Sequence, residues 1–209
     1  MKLKELGEFG LIANLQSKLK FRSPQVLKGI GDDCAAFKPS KDTILIATCD
    51  ALVETIHFDL KTTTPQLLGQ KTLSVNLSDI AAMGGTPKFA LITLGVSKNL
   101  PPKFLEKFYI GMNAISEKYC FSIVGGDTVQ SPKNFFVNVT LIGEVKKDRL
   151  FSRDGAQVGD KVFVTGCIGD SALGLKIMQT TKKLKGSVKD KSYLIRRHQS
   201  PTPRMEEAK

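Results

Sequence analysis

Two helical stretches entered through proline, set between runs of β-branched and apolar residues, constrain the fold of this chain more than any other feature. Thr64-Pro65 opens the first, which continues to Met83 and stops at Gly84-Gly85-Thr86-Pro87. Pro101-Pro102 opens the second, whose Phe104, Phe108, Met112 and Ile115 fall on one stripe. Proline pre-sets the backbone angle of a first helical turn and lacks only an N–H that has no partner there, and glycine pairs stop the pattern. Around these helices, Ile44 to Cys49 is a β-branched run ending at Asp50, and Val53 to Phe58 alternates so that Val53, Thr55 and His57 share one face. A period of two predicts strands for both. Phe89 to Val96 reads as a buried strand, Phe121 to Val124 as a strand ending at Gly125-Gly126-Asp127, and Phe135 to Val145 as a long closing strand. The order strand, strand, helix, strand, helix, strand, strand predicts an α+β fold: an N-terminal mixed β-sheet with helices on one face.

The flanks are less complete. Phe9, Ile12, Leu15 and Leu19 lie at helical spacing, so a short helix is expected over 8–19, followed by a glycine-broken loop through Asp33. A boundary is expected near Lys146-Lys147-Asp148, giving a first domain over 1–147 and an incomplete second α/β domain over 148–209. In that second unit, Lys161 to Thr165 predicts a strand, Gly166 to Ser171 a turn, and Ala172 to Thr181 a helix. Pro203 to Lys209 looks like the first two turns of another helix, too short to stand alone in water, so the second unit is expected to be cut short. A length of 209 residues fits one complete core plus part of a second.

Composition narrows the function classes. Hydrophobic content of 41% and charged content of 24% are those of an ordinary globular chain. The formal net charge of +11 favours anionic partners, but the lysines, including Lys182, Lys183, Lys185, Lys189 and Lys191, lack the interleaved aromatics of a single-strand binding track. A solvated lysine surface is expected, with no nucleic-acid partner. Cys34, Cys49, Cys120 and Cys167 form no C-x-x-C pair, which argues against a zinc knuckle or disulfide framework and predicts a reducing cytoplasm. No apolar run is long enough to span a bilayer, so no membrane partner is expected.

Four aspartates carry the chemistry. Asp33, Asp50, Asp79 and Asp127 sit in Gly-Ile-Gly-Asp-Asp-Cys-Ala, Ala-Thr-Cys-Asp-Ala, Val-Asn-Leu-Ser-Asp-Ile-Ala-Ala-Met-Gly-Gly and Val-Gly-Gly-Asp-Thr. Mg²⁺ takes oxygen ligands, keeps several waters and shares carboxylates with substrate phosphates, so dispersed aspartates converging in space suit a magnesium nucleotide site. Asp79, late in a helix, opposes the negative end of the helix dipole and calls for a compensating cation. Asp50 and Asp127 are expected at strand ends, where open sheets place ligand groups and where aspartate also serves as a plain turn former. Gly126 allows close backbone approach to a nucleotide, and Thr48 adds an oxygen.

Gly29-Ile30-Gly31-Asp32-Asp33-Cys34-Ala35, Asp50-Ala51-Leu52-Val53 with His57-Phe58, Lys71 through Met83, Gly125-Gly126-Asp127-Thr128, Ser152-Arg153-Asp154-Gly155-Ala156 and Tyr193-Leu194-Ile195-Arg196-Arg197-His198 together resemble the thiamine-monophosphate kinase family. That family is related to aminoimidazole ribonucleotide synthetase, and the resemblance covers nearly the whole chain. It implies an N-terminal domain that dimerises through its sheet, ATP bound beside a C-terminal domain, and Mg²⁺-dependent transfer of the ATP γ-phosphoryl group to thiamine monophosphate, giving thiamine diphosphate. A phosphate monoester has a second pKa of about 6, so the acceptor oxygen is already anionic at neutral pH and no side-chain base is needed. No acid or base residue is therefore assigned.

The resemblance further implies a metal set of Asp33, Thr48, Cys49, Asp50, Asp79 and Asp127, ATP contacts from Gly126, Asp127 and Arg153, and a substrate contact from His57. From the residues alone, a Gly-Asp turn at Asp33, an exposed polar-face aspartate at Asp79, a half-buried structural histidine and a surface arginine stay open. The sequence departs from the family at Cys49, where threonine or serine is usual, at Ala51, usually threonine, and in lacking tryptophan and a later Asp-Leu-Ser-Asp-Gly block. Thiols prefer softer ions than Mg²⁺. Two other readings follow: a truncated, catalytically silent module that dimerises, or another ATP-dependent synthetase of the same superfamily.

Overall fold

The computed structural model describes residues 26–28, 34–38, 42–180 and 185–208. The helix expected over 8–19 and the loop carrying Asp33 lie outside these residues. A six-stranded sheet is built from β1 (Val26–Lys28), β2 (Ala35–Phe37), β3 (Thr43–Val53), β4 (Thr86–Ser97), β5 (Ser122–Ser131) and β6 (Phe136–Lys146), in the spatial order β1-β2-β3-β6-β4-β5. All neighbours are antiparallel except β4 and β5. Helix α1 (Pro65–Ala82) links β3 to β4, and α2 (Pro102–Lys118) makes the crossover that the parallel β4–β5 pair requires. This is the mixed sheet with helices on one face that the sequence predicts.

The two helices begin where proline placed them. Thr64 caps α1, its side chain accepting from the Leu67 N–H, with Pro65 in the first turn. Inward-facing Ile44, Ile46, Thr48 and Leu52 of β3 alternate with outward residues, as do Val137, Val139, Leu141 and Val145 of β6. Onto this face α1 packs Leu68, Leu73, Leu77 and Ile80, all fully buried. On α2, Phe108 and Met112 are fully buried and Phe104 and Ile115 pack beside them, completing the predicted stripe. Phe135 meets Phe58, Phe104 and Phe108 edge to face, with centroids 6.2, 5.4 and 5.5 Å away. The helices cross with almost no side chain between them: a Cβ on Gly69 would lie 2.1 Å from the Phe108 carbonyl oxygen, and one on Gly111 would lie 2.0 Å from that of Gln66.

Several sequence expectations are corrected. Val53 to Phe58 is no strand: the chain turns back after β3, with Thr55 at φ 70° and the N–H groups of Ile56 and His57 both donating to the Val53 carbonyl. Apolar alternation over so few residues also fits a turn that tucks Phe58 inward. Asp50 and Asp127 are not at strand ends, because β6 pairs with β3 through to Val53 and β4 pairs with β5 through to Ser131. Ladder partners, not the aspartates, set where these strands stop. Gly126 in mid-strand has φ +150°, and a Cβ there would lie 1.8 Å from the Ile92 carbonyl oxygen, so only glycine fits.

Beyond β6 the chain forms short 3-10 turns at Lys147–Arg149 and Arg153–Gly155 and two helices, α3 (Asp170–Gln179) and α4 (Val188–Gln199). The predicted helix over Ala172 to Thr181 corresponds to α3. Residues 161–165 have no ladder partner among the described residues and form no strand, and the described part of 203–209 makes turns instead of a helix. Helix α4 opens with a capping box, Ser187 and Asp190 bonding reciprocally. Among the described residues no helix is long and apolar enough to cross a membrane.

Candidate functional site

The inner face of β3 and the second half of α1 bring three of the proposed metal residues together. Thr48 and Asp50 are two residues apart on one strand and so share a face. Thr48 Oγ1 donates to Asp79 Oδ2 at 2.6 Å across the β3–α1 interface. One helical turn earlier, Asn76 accepts the Asp50 N–H on Oδ1 at 3.1 Å and donates through Nδ2 to the Thr72 carbonyl at 3.0 Å. Asn76 is fully buried, and it ties the strand to the helix. An amide with both ends bonded keeps Asp50 and Asp79 at fixed heights along their elements.

The electrostatics favour a cation. Burial raises the Asp50 pKa, opposed by the nearby His57. A half-buried carboxylate with a raised pKa is short of positive charge. Asp79 sits in the last turn of α1, where carbonyl dipoles oppose a negative charge. Two carboxylates and a hydroxyl are a hard-oxygen set, and Mg²⁺ is typically held by one or two carboxylates with water and substrate phosphate oxygens. Among the described residues no group of three or more His, Cys, Asp or Glu side chains is close enough to hold an ion alone.

Asp33 lies outside the described residues, and the other expected residues that are described lie elsewhere. Cys49 points to the other face of the sheet, where Sγ donates to Asn138 Oδ1 at 3.2 Å and accepts from Thr140 Oγ1 at 3.7 Å. Strand alternation makes it impossible for adjacent side chains 48, 49 and 50 to meet at one point. Asp127 pairs with Thr93, which lies on that same outer face. It also stands three strands from Asp50, about 14 Å at the usual strand spacing. The Thr128 N–H donates to its Oδ1 at 2.8 Å. Arg153 is exposed in the 3-10 turn after β6.

His57 lies on the turn after β3. Its Nδ1 accepts the Val53 N–H at 3.0 Å, which places the ring proton on Nε2. Its carbonyl accepts from Lys71 Nζ at 2.9 Å. With His198, His57 lines a pocket of about 310 Å³ between the Thr55–Thr63 turn and the α3/α4 pair. Sequence reasoning singled out neither Lys71 nor His198 by itself; the signal available was the count of two histidines in the whole chain.

The described geometry matches known proteins. Residues 31–145 match the model of the AIR synthase related protein N-terminal domain. The thiamine-monophosphate kinase of Bacillus subtilis (strain 168) is 39% identical over 200 residues, 96% of this chain and 61% of that protein. That of Aquifex aeolicus (strain VF5) is 41% identical over 209 residues, 100% of this chain and 64% of that protein. The solved structure of AaThiL complexed with AMPPCP and TMP superimposes with a TM-score of 0.87 at 40% identity, covering 100% of this chain and 63% of the other. The chain thus spans between 61% and 64% of the length of these relatives. The motif resemblance to thiamine-monophosphate kinases is borne out over nearly its whole length, and the chain belongs to the AIR synthase related family, whose N-terminal domain it contains.

Proposed function

We propose that this chain is the nucleotide- and metal-facing portion of an ATP-dependent thiamine-monophosphate kinase. The observation that carries this reading is the likeness of the whole chain to AaThiL, a structure that holds AMPPCP and TMP. Asp50, Asp79 and Thr48 are the residues that would hold Mg²⁺. When bound, the ion neutralises phosphate charge, which is the main demand of phosphoryl transfer between two polyanions. The chain's own part is placement: Asn76 fixes the height of Asp50, and Thr48 orients the Asp79 carboxylate toward the strand. His57 presents an Nε2–H donor suited to an acceptor oxygen or ring nitrogen. Asp33, Asp127, Gly126 and Arg153 remain proposed ligands of metal or nucleotide, and Cys49 would have to act through its backbone carbonyl.

The partner is proposed to be a second copy of the chain. The sheet face opposite the helices carries Phe89, Leu91 and Val129, which are 49%, 40% and 41% exposed, with Phe136 beside them over Gly95. An apolar strip of this kind on the open face of a sheet suits self-association. Cys49, Cys120 and Cys167 are exposed free thiols, which fits a reducing cytoplasm.

The test is an assay of ADP release and thiamine diphosphate formation from thiamine monophosphate, ATP and Mg²⁺. Product formation that requires all three supports the reading. Absence of product together with no calorimetric binding of Mg²⁺–AMPPCP removes it. Sedimentation of Leu91→Glu against the parent chain tests the dimer, with a shift to monomer expected.

A further inference from the structure

This chain has two histidines, and the fold sets both on the walls of one pocket. His57 comes from the turn after β3. His198 comes from the last turn of α4, outside the residues that match the AIR synthase related domain. Phe58, Leu175 and Met178 supply apolar surface between them. The α4 wall is pinned: Gln199 Nε2 donates to the Thr62 carbonyl, and Ser200 Oγ donates to Gln70 Oε1 at 2.8 Å. The spacing of the two imidazoles is therefore set by the fold and not by a ligand.

The volume of about 310 Å³ is at the small end of the usual range for ligand pockets, about 300–1,000 Å³. It has room for a small ring system and too little for a nucleoside triphosphate. The His57 proton is on Nε2 because the Val53 N–H occupies Nδ1. His198 Nδ1 lies 3.1 Å from Ser171 Oγ. Burial and then the charge of Lys71 lower the His198 pKa, against the Ser171 backbone, which raises it, so the pocket favours the neutral form of this ring. Lys71 donates to the His57 carbonyl, and among the described residues it has no carboxylate within ion-pair distance. A neutral imidazole offers a flat face and one polar atom without repelling a cationic ring.

We propose that His198 contacts the acceptor, the pocket holding the heteroaromatic portion of a phosphorylated acceptor between the His57 and His198 rings, with Lys71 a positioning residue for the His57 turn. This rests on the kinase reading above and adds to it a pocket wall from α4.

The full chain labelled with ¹³C at histidine Cε1 gives two imidazole signals, assigned with His57→Gln and His198→Gln. Thiamine monophosphate is titrated in with Mg²⁺ and AMPPCP present. Both signals are expected to move along one saturation curve. His198→Ala is expected to weaken thiamine monophosphate binding about tenfold, or about 1.4 kcal/mol, with AMPPCP affinity unchanged. His198→Asn, which keeps a polar atom near Ser171 but loses the reach of Nε2, is expected to weaken it similarly; full affinity in that variant makes the role one of packing and overturns the proposal. Movement of the His57 signal alone, with His198→Ala binding as the parent does, overturns it and leaves the kinase reading intact. If neither signal moves and calorimetry finds no thiamine monophosphate binding, the kinase reading falls and the proposal falls with it. For Lys71, the ligand-free His57 signal should shift in Lys71→Met and return in Lys71→Gln, which can still donate to the carbonyl; an unmoved signal in Lys71→Met overturns the positioning role.

Discussion

Two helix pairs in this molecule are built with the same device and end in different environments. In α1/α2, Gly69 and Gly111 let the helices touch backbone to backbone. In α3/α4, Gly174 does the same, since a Cβ there would lie 2.0 Å from the Leu194 carbonyl oxygen. The first pair lies on a sheet and buries leucines, Ile80, Phe108 and Met112 completely. In the second, Gly174 is the one buried residue of α3, and α4 has none. Val162 and Phe163, which precede α3, are 94% and 84% exposed. Close helix contact is thus a local property of glycine placement, whereas burial requires a second layer to pack against.

The sharpest test of that contrast is a pair of truncations. Phe135→Ala removes the ring that joins three other aromatics and should cost about 3–5 kcal/mol. Phe163→Ala should stay within about 0.5 kcal/mol, because its side chain is in water. Urea titration of both variants gives the comparison, and equal losses would break it. Next in size, Gly69→Val should cost about 2–3 kcal/mol by overpacking, lowering Tm by about 4–12 °C. Gly174→Val should cost under about 1 kcal/mol, because a pair that buries so little can separate at small penalty.

Smaller again is Thr48→Val, which keeps the shape of the side chain but withdraws the hydroxyl from Asp79. A loss of about 1 kcal/mol is expected, together with weaker Mg²⁺–AMPPCP binding by calorimetry. The smallest effect joins the two regions. Because the folded-state pKa of His198 is lowered, the unfolded chain binds more protons as pH falls below the ordinary histidine value of about 6.5. Stability contributed by this ring is therefore full above that pH and declines as pH drops through the lowered folded value. Lys71→Met removes one of the two causes and should narrow the window, measured as the His198 midpoint moving up toward its ordinary value.

Much of the sheet region was legible in the sequence. Proline and threonine marked the start of α1, the Phe104–Ile115 stripe marked the buried side of α2, and long apolar runs marked β4 and β6. These signals are local, and each reports a partner that covers the whole element. What escaped depends on distant partners. The ends of β3 and β5 are set by where β6 and β4 stop pairing, so Asp50 and Asp127 looked terminal and are not. Cys49 was grouped with its neighbours, although a strand sends adjacent side chains to opposite faces. Thr55 at positive φ turns what reads as a strand into a tight reversal. Helix α4 was readable from Ser187 and Asp190, yet its residues are mostly polar and few apolar ones mark its inner side. At the site, Asp79 with Thr48 was anticipated, whereas Asn76 and His198 act on residues far away in the chain.

The sheet order carries a consequence for biosynthesis. Strand β6 lies between β3 and β4 although it is the last of the six to be made. Until the ribosome has released residues up to Lys146, β3 and β4 have no common neighbour, and the apolar side of α1 has no floor. The nascent chain must hold Leu73, Leu77 and Ile80 away from water or from other chains during that interval, which makes early termination before β6 far more hazardous than termination after it.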